Sequence, residues 1–321
     1  MSLNYADVSV TSTAPGKTIL FGEHAVVYGQ PAIAVPITQV QARVEIAPLT
    51  HSQTNQIQID APGIGLSSSF ADLPPGDPIA LAITLALQSV SPPSTPSMQI
   101  RITSSIPVAG GLGSGAAVSV ALIRAVSTFL GKPLPDGAVS ALAYEVEKIH
   151  HGTPSGIDNT VITYCRPVFF TRGKPIEIIQ MKSPFHLVIG DTGIASRTGQ
   201  VVANVRAKHE MDPGYLDSLF AEIGGIARSA LRCMQEGQAE QLGRLMTQNH
   251  GLLQHVGVSG PELDRLVHAA LSGGAWGAKL SGAGRGGNMI AIAPPDAVEQ
   301  VASALKNAGA VHTFMTKVGS G

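Results

Sequence analysis

Apolar and polar residues alternate along the first ninety positions in two ways, which predict different elements. Within residues 8–48, the runs SVTSTAPGKTILFG, PAIAVPI and VQARVEIAP are rich in β-branched residues and predict strands, with a turn at Pro15–Gly16. The Ala/Leu-rich run at 77–90 predicts a helix. The N-terminal part of the chain therefore mixes strands with helix.

The middle of the chain continues this mixture. MQIRITSSI (98–106) alternates as a strand, and FHLVIGDTG (185–193) predicts a strand that ends in a turn. Between them, apolar helices are predicted at about 114–130 and 138–151, and the first of these follows a glycine-rich turn.

The pattern becomes mainly helical from about residue 195 onward. Two glycine-punctuated strands and a last helix near 296–308 end the chain, and they are preceded by four predicted helices at roughly 196–210, 214–235, 237–252 and 261–272. The change from strand-rich to helix-rich sequence predicts a domain boundary, which we place between residues 184 and 185.

Composition excludes several classes of partner. The chain has 21 Lys and Arg against 22 Asp and Glu, and it shows neither a basic stripe for nucleic acid nor a basic amphipathic helix for a membrane surface. The apolar run at 79–90 is too short to cross a bilayer, and the N-terminus lacks the pattern of a secretory signal. Two cysteines are too few for a disulfide framework. We therefore expect a reduced, cytoplasmic protein.

The first candidate motif is PVAGGLGSGAA (107–117), a glycine-rich turn between a strand and a helix. Backbone N–H groups and the positive end of the helix dipole meet there, which suits a phosphate group. A flexible connection explains the glycines equally well. The residues Gly111, Gly113 and Ala116 also fit the dinucleotide-binding pattern GxGxxA, but a second helix follows where that fold needs a returning strand.

The second motif is APGKTILFGEHAVVYG. Its GKT (16–18) resembles the end of a Walker A loop, but Thr11 stands where that loop needs a glycine, which excludes it. Lys17, Glu23 and His24 remain as three ionisable residues in a mostly apolar run, and they indicate a site. A strand-end ion pair between Glu23 and His24 is the alternative.

The third motif is KLSGAGRGGNMIAI (279–292). Gly282, Gly284 and Gly287 match the glycine pattern of protein kinases, but the chain contains neither HRD nor DFG, and the motif lies near the C-terminal end. A tight hairpin between two strands is the alternative.

HHGTPSGIDN (150–159) follows a predicted helix. Glu147 and His151 lie four residues apart and could share a metal, although ordinary pairing on a helix surface is more common and no third ligand has suitable spacing. Asp158 taken alone is typical of a turn. A phosphate-binding loop, a lysine and a further acid in the same chain are the groups that phosphoryl transfer requires.

In this order and spacing the motifs resemble those of the GHMP kinases, and the resemblance covers nearly the whole chain. PGKTILFGEHAVVYGQPAIA and HGTPSGIDN are most similar to the members that act on mevalonate. The resemblance implies an α+β fold of two domains. Residues 1–184 would form an ATP- and substrate-binding domain with a mixed sheet and helices, and 185–321 a helix-rich, ferredoxin-like domain. It also implies ATP-dependent phosphorylation of the C5 hydroxyl of mevalonate with Mg²⁺, a step of isoprenoid precursor synthesis, and it allows a homodimer.

The resemblance also assigns residues. Asp158 would be the catalytic base or the anchor of the hydroxyl, Lys17 would stabilise charge, and Glu147 and Ser114 would bind Mg²⁺. ATP would be bound by Pro107, Gly110, Gly111, Leu112, Gly113, Ser114, Gly115 and Ala116. The substrate would be contacted by Glu23, His24, Arg197, Thr198, Gly282, Ala283 and Gly284.

Two departures from the family pattern leave questions open. Gly115 replaces a second serine, so the ligand that completes Mg²⁺ coordination is unassigned, and Arg285 replaces a glycine and could contact phosphate or solvent. Another GHMP kinase, for example one acting on phosphomevalonate, would need a basic cluster, and only Arg197 is evident. A non-catalytic binding protein would be favoured by the loss of Lys17 or Asp158, and both are present.

Overall fold

The structure, a computed structural model, describes residues 9–49, 56–107, 111–151 and 154–319, without the side chains of His150 and His151. Its strands are β1 (Val10–Phe21), β2 (Ala32–Pro48), β3 (Ile57–Ala61), β4 (Leu66–Ser69), β5 (Met98–Ser104), β6 (Val168–Phe170), β7 (Glu177–Ile178), β8 (Phe185–Asp191), β9 (Gly277–Ser281), β10 (Asn288–Ala293) and β11 (His312–Val318). Its α-helices are α1 (Pro78–Val90), α2 (Ser114–Phe129), α3 (Asp136–His151), α4 (Ile157–Tyr164), α5 (Thr198–Met211), α6 (Pro213–Glu236), α7 (Ala239–Val256), α8 (Pro261–Ser272) and α9 (Val298–Asn307).

The chain divides into two compact units that alternate along the sequence. The first contains the described residues of Met1–Gly16, Val40–Pro107 and Gly113–Cys165. The second contains those of Lys17–Gln39, Val108–Leu112 and Arg166–Gly321. β1 and β2 therefore each begin in one unit and end in the other. The division into an ATP- and substrate-binding domain (1–184) and a C-terminal domain (185–321) stays a prediction.

The first unit combines a mixed sheet with the helices α1 to α4. β5 pairs antiparallel with the C-terminal part of β2 and parallel with β3, and β3 pairs antiparallel with β4. Along β5, Met98, Ile100 and Ile102 are buried, whereas Gln99 and Arg101 are exposed. This alternation places one face of the sheet on the core.

The second unit contains an antiparallel sheet in the order β11-β8-β10-β9 together with α5 to α9. Its core joins residues of these strands to apolar faces of the helices, for example Leu280 of β9, Phe220 of α6 and Leu253 of α7. The predicted α+β class is thus confirmed, with a mixed sheet in the N-terminal region and a helix-rich, ferredoxin-like C-terminal part. No helix within the described ranges is long and apolar enough to cross a membrane.

Most predicted elements are confirmed, but the turn at Pro15–Gly16 was wrong. β1 runs through both residues, and both are buried. Proline is tolerated in a strand where its missing N–H is not needed for pairing. The helix α4 and the strands β3, β4, β6, β7 and β11 were not predicted. α4 is only eight residues long and begins after Gly156 in a left-handed conformation without a side-chain cap, so it lacks the usual start signal.

α7 and β9 pack backbone against backbone. A Cβ atom on Gly277 would overlap the Gly243 carbonyl, and one on Gly243 would lie 2.6 Å from Cβ of Trp276. Neither position can therefore hold a side chain while the helix keeps its distance from the strand.

We expect Gly243→Ala to lower the free energy of unfolding by roughly 1–3 kcal/mol, because the added methyl group overpacks this contact. Gly251→Ala is the matched control on the same helix, where an added Cβ meets no atom within 4 Å. It should stabilise the protein by up to about 1 kcal/mol, since alanine favours helix over glycine. Urea unfolding followed by circular dichroism measures both, and equal effects of the two substitutions would contradict the packing argument.

Candidate active site

β9 is buried on both faces, and the two faces differ in chemistry. Ala278 and Leu280 belong to the apolar core of the second unit. Lys279 and Ser281 point the other way, because side chains alternate along a strand. They contact β1 and the segment that directly follows it. The polar face of β9 therefore borders the second sequence motif.

Lys279 and Glu23 form a buried ion pair on this face. The Lys279 side chain is 0% exposed and that of Glu23 is 2% exposed. The Lys279 ammonium also donates to the Leu280 carbonyl at 2.6 Å. Burial raises the pKa of Glu23 and lowers that of Lys279, and the attraction between the two opposes both shifts. Glu23 therefore pairs with Lys279 and not with His24.

The second oxygen of Glu23, Oε2, is buried and has no hydrogen-bond partner among the described residues. A buried carboxylate oxygen without a donor is costly. The Lys17 ammonium contributes a further attraction that lowers the pKa of Glu23. Glu23 thus has one oxygen engaged by Lys279 and a second, buried oxygen without a donor among the described residues.

His24 follows with an unusual backbone, at φ 60°, and is largely buried. Its Nε2 lies 2.9 Å from the Ala283 carbonyl oxygen. A carbonyl only accepts, so Nε2 carries the proton. Burial lowers the pKa of His24, which keeps the ring neutral at pH 7 and leaves Nδ1 as an acceptor. His24 therefore ties its own segment to the glycine-rich loop after β9.

That loop joins β9 and β10 as an antiparallel hairpin with Ser281 opposite Asn288. The hairpin alternative for the third motif is correct as a description of its backbone. A Cβ on Gly284, at φ +84°, would overlap the Val258 carbonyl. The Arg285 N–H donates to the same carbonyl at 2.8 Å, and the guanidinium donates to the Gly257 carbonyl at 3.2 and 3.3 Å. Arg285 is exposed, as the solvent alternative expects, and its hydrogen bonds attach the loop to the residues that directly follow α7.

The loop is also bonded to the segment that leads into α5. The Gly287 N–H donates to the Ile194 carbonyl at 2.7 Å, and the Ser196 hydroxyl donates to the Gly284 carbonyl at 2.8 Å. Arg197 and Thr198 follow directly, at the exposed start of α5. Of the predicted substrate-binding residues, four are linked by these contacts within the second unit: Glu23, His24, Ala283 and Gly284. The other three, Gly282, Arg197 and Thr198, are neighbours in the chain of linked residues.

Three helix ends carry the predicted residues of the first unit. Arg124, in the C-terminal half of α2, donates to Asp136 at the start of α3 and to the Thr163 carbonyl at the end of α4. α3 therefore runs opposite to α2 and α4. Ser114 at the start of α2, Glu147 near the end of α3 and Asp158 in the first turn of α4 consequently lie toward the same end of the helix group.

α2 begins at a glycine turn with open backbone donors. Gly111 and Gly113, the N-cap of α2, both have positive φ, and no side chain among the described residues caps the first turn. The first N–H groups of a helix have no partner within it, so an anion can accept from those of Ser114 to Ala116. The Lys17 N–H donates to the Leu112 carbonyl at 2.9 Å, within the second unit. Pro107 lies at the end of a described range, and Gly110 lies outside the described residues.

The residues proposed for Mg²⁺ offer oxygen donors. Glu147 is a buried carboxylate, and the Ser114 hydroxyl is half-buried at the start of α2. Mg²⁺ at a phosphate site needs only one or two protein carboxylates, because phosphates and water complete its coordination. The donor set therefore fits this ion. Across the described ranges, no three or more His, Cys, Asp or Glu residues lie together so that they could hold a metal ion by themselves.

Comparison with known proteins gives the family. Residues 79–166 match the profile of the GHMP kinases N terminal domain, and residues 229–311 match that of the GHMP kinases C terminal domain. The chain belongs to the GHMP kinase family, whose members are ATP-dependent small-molecule kinases.

Individual relatives agree with this assignment. The chain is 37% identical to the mevalonate kinase of Pyrococcus horikoshii, over 94% of this chain and 93% of that protein. Its structure is similar to that of L. major mevalonate kinase in complex with R-mevalonate, with a TM-score of 0.83, 31% identity and coverage of 98% and 97% of the two chains. It is also similar to the Methanococcus jannaschii enzyme, with a TM-score of 0.82, 28% identity and coverage of 97% and 98%.

Sequence reasoning assigned no role to Lys279, although this residue opens the third motif. Its signal was a single charged residue in the otherwise uncharged strand GAKLS. A lysine at a position whose neighbours on both sides are apolar needs a buried partner of opposite charge.

A pH dependence follows from His24 and from His250 of α7, which accepts a hydrogen bond from the Leu280 N–H at Nδ1 and faces Asp264 at Nε2. Burial lowers the pKa of both histidines below the ordinary 6.5. A lowered folded-state pKa contributes stability that is present above pH 6.5 and lost as the pH falls through the folded value.

We therefore expect the free energy of unfolding to fall between pH 7.5 and 5.5, by up to about 1.4 kcal/mol per pH unit for each histidine. His250→Gln should reduce this slope, and His255→Gln, on the exposed side of the same helix, is the matched control. Urea titrations at several pH values measure the slopes. Identical slopes in the parent and the His250 variant would contradict the role of burial.

Proposed function

We propose that the protein transfers the γ-phosphoryl group of ATP to the C5 hydroxyl of mevalonate and forms 5-phosphomevalonate. The observation that carries this proposal is the similarity, over nearly the full length of both chains, to mevalonate kinases, one of them in complex with R-mevalonate. The motifs PGKTILFGEHAVVYGQPAIA and HGTPSGIDN, by their resemblance, favour the same substrate.

The proposed division of labour follows from the chemistry of phosphoryl transfer. An alcohol is a weak nucleophile at neutral pH, so a carboxylate within hydrogen-bond reach assists its attack by accepting its proton or orienting it. We assign this role to Asp158, at the start of α4. Most of the barrier is lowered by positioning and by positive charge around the transferred group, to which Lys17 and the N–H groups at the start of α2 contribute.

Substrate recognition is assigned to the second unit. Neutral His24 presents an acceptor at Nδ1, Glu23 presents the acceptor Oε2, and Arg197 presents a cation at the start of α5. A small molecule with hydroxyl groups and a carboxylate, such as mevalonate, offers partners for all three.

Glu147 and Ser114 would hold Mg²⁺, because the oxygen donors of both residues suit this ion. When bound, the ion neutralises the charge of the phosphates. Gly115 has no side chain and contributes only its backbone to the start of α2. A Cβ at this position would meet no atom within 4 Å.

The substrate is tested by a coupled assay of ADP formation with mevalonate, phosphomevalonate, galactose and homoserine. We expect turnover with mevalonate only, since no additional basic cluster for a substrate phosphate was evident in the sequence besides Arg197. Turnover with one of the other three compounds and none with mevalonate would reject the proposal and favour another member of the family. Binding of ATP without any turnover would favour a non-catalytic binding protein.

The role of Asp158 is tested by Asp158→Asn, which keeps the size of the side chain and removes its charge. We expect kcat to fall by roughly 100- to 10,000-fold, the usual contribution of general acid–base catalysis, while the Kd of ATP stays within about twofold. Asp72→Asn, at an exposed position, is the matched control and should leave kcat unchanged. Near-normal kcat in the Asp158 variant would make Asp158 a structural residue of the helix start.

A further inference from the structure

The Lys279–Glu23 pair is difficult to explain by stability alone. Both side chains are out of contact with water. Transferring two charges out of water costs several kcal/mol each, and apolar residues of similar size often replace such a pair at no cost or with a gain. A buried pair is thus weak evidence for stability. Its position gives a better explanation, because Glu23 directly precedes His24 and Lys279 lies three residues before Gly282.

The pair joins two segments that both contribute to the substrate region. On the first segment, Gly22 has no room for a side chain, because a Cβ there would lie 2.5 Å from the Pro31 carbonyl oxygen. On the second, the Ser281 hydroxyl donates to the Ile19 carbonyl at 2.9 Å. On the first segment Glu23 lies between Ile19 and His24, and the ion pair is the only contact of the three that carries charge.

We propose that Lys279 is a positioning residue for phosphoryl transfer: it opposes the neutralisation of the buried Glu23 carboxylate, and through this ion pair it holds the Glu23–His24 segment against the Ala283 carbonyl. Lys279 itself reaches no ligand, since its ammonium group is engaged by Glu23 and by the Leu280 carbonyl. This role rests on the proposed function, in which Glu23 and His24 bind the substrate.

The charge on Glu23 depends mainly on Lys279. The ionisable groups that act on this carboxylate are Lys279 from β9 and, more weakly, Lys17 from β1. His24 and His250 also feel the Lys279 ammonium, which lowers the pKa of each and helps to keep both rings neutral. Burial is the largest influence on the pKa of Glu23 and raises it, and loss of Lys279 would remove the strongest opposing attraction, which favours the protonated form further.

The test compares the parent protein with the variants Lys279→Met and Lys279→Gln. Both substitutions remove the charge, and glutamine keeps a hydrogen-bond donor. We expect kcat/KM at pH 7 to fall on the order of 100-fold, as for the loss of a preorganised electrostatic contact. It should recover as the pH rises, because Glu23 then ionises without its partner. The acid limb of the kcat/KM profile should therefore move to higher pH in both variants.

The matched control is Lys132→Met. Lys132 also donates to a backbone carbonyl, that of Val90 at 3.1 Å, but it lies at an exposed position and forms no ion pair with a described carboxylate of the first unit. We expect it to keep the pH profile of the parent. An unchanged profile in the Lys279 variants, whether kcat/KM is normal or uniformly lowered, would overturn the positioning role and leave Lys279 a structural residue.

A second measurement does not depend on turnover. In Lys279→Met the pKa of Glu23 stays above its value in the unfolded chain, so the stability that Glu23 contributes is present at low pH and lost as the pH rises through the folded pKa. The deficit in unfolding free energy against the parent should thus grow between pH 5 and 8, and the double variant Glu23→Gln/Lys279→Met should lose this trend. A deficit in unfolding free energy that is independent of pH would overturn the positioning role of Lys279.

Absence of mevalonate turnover in the parent protein would reject only the proposed function.

Discussion

A charge buried without water must be neutralised where it lies, and this constraint organises the candidate site of the second unit. Lys279 belongs to a strand with an apolar core on its other face, so its ammonium group cannot turn toward solvent. Glu23 supplies the opposite charge from a position 256 residues earlier in the sequence. The fold must therefore bring the second and third motifs together before either becomes stable.

Close backbone approach is the second requirement, and glycine meets it where side chains would collide. Gly22 lies against Pro31 and Ala32, Gly284 lies against Val258, and Gly243 lies against Gly277. In each case the missing Cβ lets a carbonyl or a backbone atom occupy its place. The glycine-rich motifs of this chain thus have two uses: some residues shape a ligand-binding turn, as at Gly111 and Gly113, and others allow tight packing beside it.

Sequence patterns were sufficient for the long elements and for the family, and they failed where the structure depends on distant partners. The helices α1 to α3 and α5 to α9 follow from apolar periodicity, since each is at least ten residues long. The short helix α4 was not predicted because it has no polar cap, so Asp158 taken alone was typical of a turn, although it lies in a first helical turn. The pairing of Glu23 with Lys279, and the hydrogen bonds of Arg285 to the residues after α7, could not be derived from spacing, because the partners come from separate parts of the chain.

The two units exchange the chain repeatedly, since segments of the second unit lie between segments of the first in β1, in β2 and after Pro107. No single cut in the gene separates them. A truncated product that ends at Cys165 would lack most of the second unit while still carrying the strand residues that belong to it, and these would be left with unpaired backbone groups. Synthesis on the ribosome meets the same problem, because residues 17–39 emerge long before β9 and β10. The second unit of this kinase can therefore complete its fold only after nearly the whole chain has been released.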